Sequence, residues 1–436
     1  MTTIFAPITS ISNSSVALFR ISGPNTKKIL TKIGFKGTAT HQKASLQNIL
    51  DSQDQILDEA LVTFFEGPNS FTGEDVAEIS IHASPYISKR LCQILSQTKD
   101  CRMADPGEFS KTAFLNNKFD LTQAEAIVDL IKSETQLQHE QSIKQLSGNL
   151  GKIYDIWTLE LIEISALIEA AIDFPDEDLP KNIIDDVSKR VSNLSKEIAE
   201  HLNDNKVAQK IKDGLNLAII GAPNTGKSSL INFLAKSDVA IVSDIAGTTR
   251  DVVDVHLEIA GMQIKISDTA GIRDTNDKIE QLGIDRAILK SKEADFKIYL
   301  IDASNPVIQE ELIDKNTILI ANKIDLLNNN DTIKDLKIDL DISLKNDYNT
   351  KKLFEILSNK ILTLVPKQNH SLITQERYRL ALNNSIEYLN DFSLDKNIEL
   401  ASEDLRLASI EIGKITGRID VEKLLDVIFS KFCIGK

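Results

Sequence analysis

The sequence predicts a multidomain α/β protein. An α+β N-terminal domain comes first. A discontinuous all-α helical domain follows in two segments, and a phosphate-loop domain with a central, mostly parallel sheet is inserted between them. Three observations predict this. The chain has 436 residues, too many for one ordinary core. A G-x-x-x-x-G-K-S run stands at residues 221–228, between an apolar strand-like run and a helix-like one. Apolar stripes at helical spacing recur on both sides of that unit, from Asp120 to about Ile211 and from Gln375 to Phe432.

Residues 1–117 mix short strands and helices. Segments 16–21 (VALFRI), 61–65 (LVTFF) and 76–81 (VAEISI) read as strands. Segment 86–97 carries Ile87, Leu91, Ile94 and Leu95 at helical spacing. Between them lies a polar loop, GPNSFTGED at 67–75. From Asp120 the period becomes helical. Leu121, Ala124, Ile127, Val128 and Ile131 form one stripe. Ile143, Leu146, Leu150, Ile153, Trp157, Leu161, Ile164 and Ile168 form a second, spaced by three and four throughout. Trp157 on that stripe reads as core. An acidic turn with Pro175 and Pro180 interrupts the pattern, and a further helix is predicted over about 183–211. The predicted division is 1–117, 118–212, 213–364 and 365–436.

The phosphate-loop unit carries the chemistry. The run LNLAII at 215–220 reads as a buried strand, and 229–234 as the start of a helix. Glycines let the backbone wrap closely around an anion, whose charge suits the helix N-terminus. Lys227 is placed for the β- and γ-phosphates, and Ser228 for Mg²⁺. Asn224, Thr225, Gly226 and Ser229 complete the loop. Gly247-Thr248-Thr249 stands in the place of a first switch, where Thr249 can ligate Mg²⁺. Asp268-Thr269-Ala270-Gly271 follows the alternating run Met262–Ser267 and suits the Walker-B role. Asn322-Lys323-Ile324-Asp325 follows the apolar run 317–321. An ionised Asp325 only accepts hydrogen bonds, so it suits the two N–H donors of guanine and repels the acceptor of adenine. Four motifs in this order make GTP the expected nucleotide and a Ras-like P-loop G domain the expected fold. Ile272 stands where Ras-type enzymes carry a water-positioning Gln, so the hydrolytic group has to come from elsewhere.

Composition sets the remaining bounds. Hydrophobic content of 42% and charged content of 26% are ordinary for a globular protein. A net charge of −14 argues against a general nucleic-acid-coating protein but leaves room for a local basic patch. Three cysteines, Cys92, Cys101 and Cys433, are too few for a disulfide framework. No secretory leader is recognisable, and no run approaches the roughly 18 apolar residues of a membrane span. A cytoplasmic protein without membrane attachment is expected.

The chain resembles the MnmE (TrmE) family of tRNA-modification GTPases over essentially its whole length. The matching stretches include FRISGP at 19–24, GPNSFTGEDV at 67–76, PGEFSKTAFLNNKFDLTQAEAI at 106–127 and EAAIDFPDED at 169–178. In the G domain they are GAPNTGKSSL at 221–230, DIAGTTRDV at 244–252 and DTAGIR at 268–273, and the chain ends on FCIGK at 432–436. The first three and the last are not general GTPase motifs.

The resemblance implies an N-terminal folate-binding and dimerising domain, a helical domain and an inserted G domain. It implies a homodimer that joins a flavoprotein, MnmG (GidA), in a heterotetramer. Together they would add an aminomethyl-type group to C5 of the wobble uridine of certain tRNAs, with a carbon unit from 5-formyltetrahydrofolate or another tetrahydrofolate derivative. By resemblance, K⁺ is held by Asn224 and the loop Ser243, Asp244, Ile245, Ala246, Gly247 and Thr248, with Asn224, Ser243, Ile245 and Thr248 as ligands. It sits where an arginine finger would and couples hydrolysis to G-domain dimerisation. The resemblance makes Glu280 the carboxylate that acts on water. It makes Arg20, Glu78, Lys118 and Lys436 the folate contacts, with Cys433 either a nucleophile or a packing residue. The guanine-edge loop departs from the family pattern. Ser343-Leu344-Lys345 is followed by Asn-Asp-Tyr instead of a Gly-rich turn, so its register is open. A rival reading is a GTP-switched RNA- or ribosome-assembly factor, which has no use for GPNSFTGED or FCIGK.

Overall fold

The fold is known from a computed structural model. It describes residues 2–9, 14–173, 181–204, 206–237, 239, 255–267, 293–327, 333–334, 336–366, 373–394, 398–419, 422–430, 432 and 435. The chain forms two compact units. One comprises Met1–Val128, Gln145–Lys196 and Leu380–Lys436, the other Asp129–Lys144 and Glu197–Arg379. The fold class is multidomain α/β, as the sequence predicts.

The first unit opens with a six-stranded sheet. Its strands are β1 (Thr3–Pro7), β2 (Val16–Ser22), β3 (Ala44–Leu50), β4 (Ile56–Phe65), β5 (Val76–His82) and β6 (Cys101–Met103), in the order β3-β4-β5-β2-β1-β6. Only the β1–β6 pair is parallel. Strand side chains alternate between faces. Phe19, Ile21, Val62, Phe64, Ile79 and Ile81 therefore share one face, buried under Ile29 and Leu30 of α1 (Thr26–Lys32) and Leu91 and Leu95 of α2 (Pro85–Ser96). Arg20 and Glu78 are register partners and fall on the other face. The strands read from sequence are β2, β5 and the second half of β4. The short strands β1, β3 and β6 were not read, because mixed composition hides a two-residue period.

The first unit also holds the helices α3 (Glu108–Leu115) and α6 (Asn149–Asp173) and most of α4 (Leu121–Ile131) and α7 (Lys181–Leu202), while most of α5 (Gln136–Leu146) belongs to the second. The stripe 143–168 is not one helix. It breaks between α5 and α6 at Gly148, whose φ of +78° suits a residue without Cβ. Spacing by three and four runs through the break, so the apolar pattern alone does not reveal it. Trp157 is core as expected, with its ring centroid 5.7 Å from that of Tyr154.

The second unit holds a six-stranded sheet. Its strands are β7 (Leu215–Ile220), β8 (Val255–Ile259), β9 (Met262–Ser267), β10 (Phe296–Asp302), β11 (Thr317–Asn322) and β12 (Leu340–Asp341). The order is β12-β11-β10-β7-β9-β8, and every pair is parallel except β8–β9. A parallel sheet is covered on both faces, which explains the near-continuous apolar runs. Leu217, Ile219, Ile298 and Leu300 pack on one side, against Leu230 of α9 (Lys227–Ala235) and Leu353 and Leu357 of α10 (Thr350–Leu364). Tyr299, Ile301 and Leu319 pack on the other, against Ile308 and Leu312. The helix predicted over 183–211 also breaks. It is α7 followed by α8 (Val207–Asp213), with Lys206 at φ +56° between them.

The last helices are α11 (Glu376–Asp391), α12 (Ile398–Thr416) and α13 (Glu422–Phe429). Helix α12 packs along α6. The turn NNND at 328–331 and most of the acidic turn after Asp173 lie outside the described residues. Among the described residues, no helix is long and apolar enough to cross a membrane.

Candidate functional site

Among the described residues, the second unit sets the phosphate loop and the guanine motif at the C-terminal ends of β7 and β11. The phosphate loop leaves β7 and enters α9, whose first helical residue is Lys227. The first N–H groups of a helix have no partner within it, so this end favours an anion. Thr225 Oγ1 donates to Ala222 O at 3.0 Å and tightens the loop. Lys227 Nζ donates to Gly221 O at 3.0 Å and Ala222 O at 2.8 Å. Burial lowers the pKa of Lys227. A cation held among backbone carbonyls and short of water is poised to meet a phosphate.

Gly226 caps α9 at φ +100°. A Cβ there would collide with the side-chain amide of Asn322. Gly226→Ala is therefore expected to lose nucleotide binding and to cost roughly 1–3 kcal/mol of stability from the strained backbone alone. Thermal melting checks this, and a wild-type melting temperature contradicts it.

The guanine-recognition motif grips the phosphate loop from the neighbouring strand. Asn322 Nδ2 donates to Thr225 O at 2.9 Å, and Lys323 Nζ donates to Asn224 O at 2.5 Å. Asp325 accepts a hydrogen bond of 2.6 Å from Ser343 Oγ. Leu344 N donates to Asn322 Oδ1 at 3.4 Å, and Asn346 N to Ser343 Oγ at 3.2 Å. A two-way backbone bridge between Ser343 and Tyr348 closes the turn. In this register Ser343 stands against Asp325, and Leu344 and Lys345 line the cavity beside them.

That cavity measures about 610 Å³ and is lined by Gly226, Ser229, Phe233, Asn322, Lys323, Asp325, Leu344 and Lys345, among others. Its size suits a small ligand, and one aromatic with a few convergent polar groups is the usual lining of such a site. Sequence reading missed Asn232, Phe233 and Lys236, which also line it. The signal was present. With Ser229 they lie at i, i+3, i+4 and i+7, one face of α9. The motif set around a cavity of this size fits a guanine nucleotide.

Several expected residues fall outside the described residues. They are Ser243, Asp244, Ile245, Ala246, Gly247, Thr248, Thr249, Asp268, Thr269, Ala270, Gly271, Glu280, Cys433 and Lys436. Of the Mg²⁺ and K⁺ sets, the described residues include only Ser228 and Asn224.

The first unit brings three of the four expected folate contacts to the loop 67–75. Arg20 Nη2 and Nε both donate to Glu78 Oε1, at 2.7 and 3.1 Å. The Arg20 guanidinium lies 4.8 Å from the Phe71 ring centroid and 5.6 Å from that of Phe109. Lys118 Nζ donates to Pro68 O at 2.8 Å. The loop itself is pinned. Ser22 Oγ bonds Thr72 and Glu74, and Asn116 Nδ2 donates to Thr72 O at 2.7 Å. Gly435 packs against Pro7 and Ile8, and Ala6 and Pro7 of β1 pair with Arg20 and Phe19 of β2. Two cations and a carboxylate around an aromatic loop form a donor set that fits an aromatic, carboxylate-bearing ligand. Burial disfavours the thiolate at both described cysteines. Burial pushes the Cys101 thiol up to about 11, and burial also raises Cys92.

Comparison with known proteins covers both units. The family model described as MnmE helical domain matches residues 121–433. The one described as GTP-binding protein TrmE N-terminus matches residues 3–118. A relative from Rickettsia akari (strain Hartford), named tRNA modification GTPase MnmE, is 46% identical over 445 residues. Relatives of the same name from Rickettsia prowazekii (strain Madrid E) and Rickettsia bellii (strain OSU 85-389) are 46% and 45% identical. Each alignment covers 100% of this chain and 100% of the relative.

Proposed function

The chain belongs to the MnmE family of tRNA modification GTPases, and from that premise we propose that it hydrolyses GTP to drive C5 modification of the wobble uridine of certain tRNAs. One observation carries the GTP half. Gly226 and Ser229 beside the phosphate loop line one cavity with Asn322, Lys323 and Asp325, and the guanine motif is bonded directly to that loop. The tRNA half is supported by full-length relatives that carry the tRNA modification name.

In this reading Lys227 neutralises the β- and γ-phosphates, and Asp325 accepts the guanine N–H donors. Ser228 and Thr249 would hold Mg²⁺, which supplies positive charge at the phosphate oxygens. Ser229 and the phosphate-loop backbone orient the phosphates, with Asp268, Thr269, Ala270 and Gly271 on the γ-phosphate side. Asn224 and the segment 243–248 would hold K⁺, and Glu280 would orient the attacking water in place of a Gln. Hydrolysis is expected to be faster in K⁺ than in Na⁺ by on the order of a hundredfold, the scale of one lost transition-state partner. Equal steady-state rates in the two salts would contradict the cation assignment.

Arg20, Glu78, Lys118 and Lys436 would hold a tetrahydrofolate one-carbon derivative, with Cys433 as a nucleophile or a packing residue. The pairing of Arg20 with Glu78 supports this, because a pterin offers N–H donors to a carboxylate and a folate tail offers carboxylates to cations. The working assembly would be a homodimer joined by the flavoprotein MnmG (GidA) in the cytoplasm. The domains would be those read from sequence, 1–117, 118–212 with 365–436, and 213–364.

The test is the nucleoside content of tRNA from cells that lack this chain. Loss of the C5-aminomethyl-type wobble uridine, restored by the wild-type gene but not by Lys227→Met, is expected. A normal complement of modified uridine in the deletion strain would overturn the reading.

A further inference from the structure

Asp302 ends β10, outside every nucleotide motif. The parallel register pairs it with Asn322 at the end of β11, so the next residue, Lys323, passes directly over it. Lys323 Nζ lies 2.7 Å from Asp302 Oδ2 and 2.5 Å from Asn224 O. Ser304 holds the other oxygen of Asp302, through its N–H at 3.0 Å and its hydroxyl at 2.6 Å. Burial pushes the Asp302 carboxyl up, but Lys323 and Ser304 outweigh it, and the group stays below the usual carboxylate range.

We propose that Asp302 is a positioning residue for the phosphate loop, acting through Lys323. The physical chain has three links. Asp302 clamps the Lys323 ammonium with a charge-assisted bond. Lys323 then fixes the carbonyl of Asn224, a residue at φ +62° that needs such support. Asn322 fixes the next carbonyl, that of Thr225. A trans peptide is planar, with its C=O and N–H pointing opposite ways. Anchoring the carbonyls of Asn224 and Thr225 therefore aims the N–H groups of Thr225 and Gly226 the other way, as donors for a phosphate. Guanine recognition and phosphate recognition thus share one anchored segment.

The inference rests on the guanine-nucleotide reading of this site. The experiment measures GTP and GDP binding by the full chain, wild type against Asp302→Asn, Lys323→Met, the double variant and Ser304→Ala. Asp302→Asn is expected to weaken both nucleotides roughly tenfold or more, the scale of one charged hydrogen bond. The double variant should bind no worse than Lys323→Met alone, because Asp302 acts only through that lysine. Ser304→Ala keeps the carboxylate but loosens it. It should weaken binding in the same direction by about two- to fivefold, and it serves if Asp302→Asn does not fold. Preference for GTP over xanthosine triphosphate should not move, since Asp325 is untouched. Wild-type binding by Asp302→Asn, or losses that multiply in the double variant, would overturn the inference alone. A wild-type chain that bound no guanine nucleotide would overturn it together with the reading beneath it.

Discussion

Lys227→Met is expected to weaken GTP binding roughly a hundredfold. The ammonium is the only side-chain cation of the phosphate loop, and its bonds to phosphate oxygens are charge-assisted. Losing them costs about 3 kcal/mol, roughly a hundredfold in Kd. The apo chain should respond differently. Burial lowers the pKa of Lys227, so the folded state binds that proton less tightly than the unfolded state does. Its charge therefore costs stability at neutral pH, and the cost disappears as pH rises through the lowered value. Replacing the ammonium with a thioether chain of similar length should leave the melting temperature without nucleotide unchanged or higher. The stabilisation that GTP gives the wild type should need roughly a hundredfold more nucleotide. Thermal melts with and without GTP check both halves. A variant stabilised by GTP at wild-type concentrations contradicts the role of the lysine, and one that melts well below wild type without nucleotide contradicts the electrostatic account.

Asp325→Asn is expected to exchange one base for another. Ser343 Oγ donates to Asp325 Oδ1. In the variant the amide oxygen keeps that bond, which turns the NH₂ group toward the base. Guanine then meets a donor where it needs an acceptor and loses two charged bonds, about 4 kcal/mol or roughly a thousandfold in affinity. Xanthine carries a carbonyl in place of the amino group and becomes the better partner. Competition between GTP and xanthosine triphosphate reads the exchange. A variant that keeps its preference for GTP would remove Asp325 from base recognition.

Both predictions use residues that the sequence alone identifies. A strand, a tight loop and a helix in immediate succession leave little freedom, so Gly226, Lys227, Asn322 and Asp325 were legible from spacing. Ser343 was legible as a type, but its register was not. The turn Asn346-Asp347-Tyr348 replaces glycines with residues that accept positive φ at Asp347 and bridge back at Tyr348, a solution that exists only in three dimensions. Asp302 was invisible for a related reason. Its ion pair spans 21 positions and follows from the register of β10 on β11. The segment after Asp302 covers one face of the sheet through Ile308 and Leu312. Its Gln309 N–H donates to the Tyr299 hydroxyl at 3.0 Å.

The helical breaks teach a similar lesson. Gly148 and Lys206 interrupt stretches whose apolar spacing continues across them. Periodicity reports which face is buried, while the break depends on one backbone angle. In the first unit the loop 67–75 reads from sequence as a polar loop. The fold sets residues against it that spacing does not reveal: Arg20, paired with Glu78 of the neighbouring strand, over the loop's Phe71 ring, and Lys118 from the α3–α4 connection on Pro68.

The most direct test of the central claim is nucleotide hydrolysis by the purified full-length chain in K⁺ and Mg²⁺, with GTP and ATP in parallel. A cavity lined by Asp325, Asn322 and the phosphate-loop end of α9, with Ser343 bonded to Asp325, predicts hydrolysis of GTP and no measurable hydrolysis of ATP. Hydrolysis of ATP at a comparable rate, or of neither nucleotide, would contradict it.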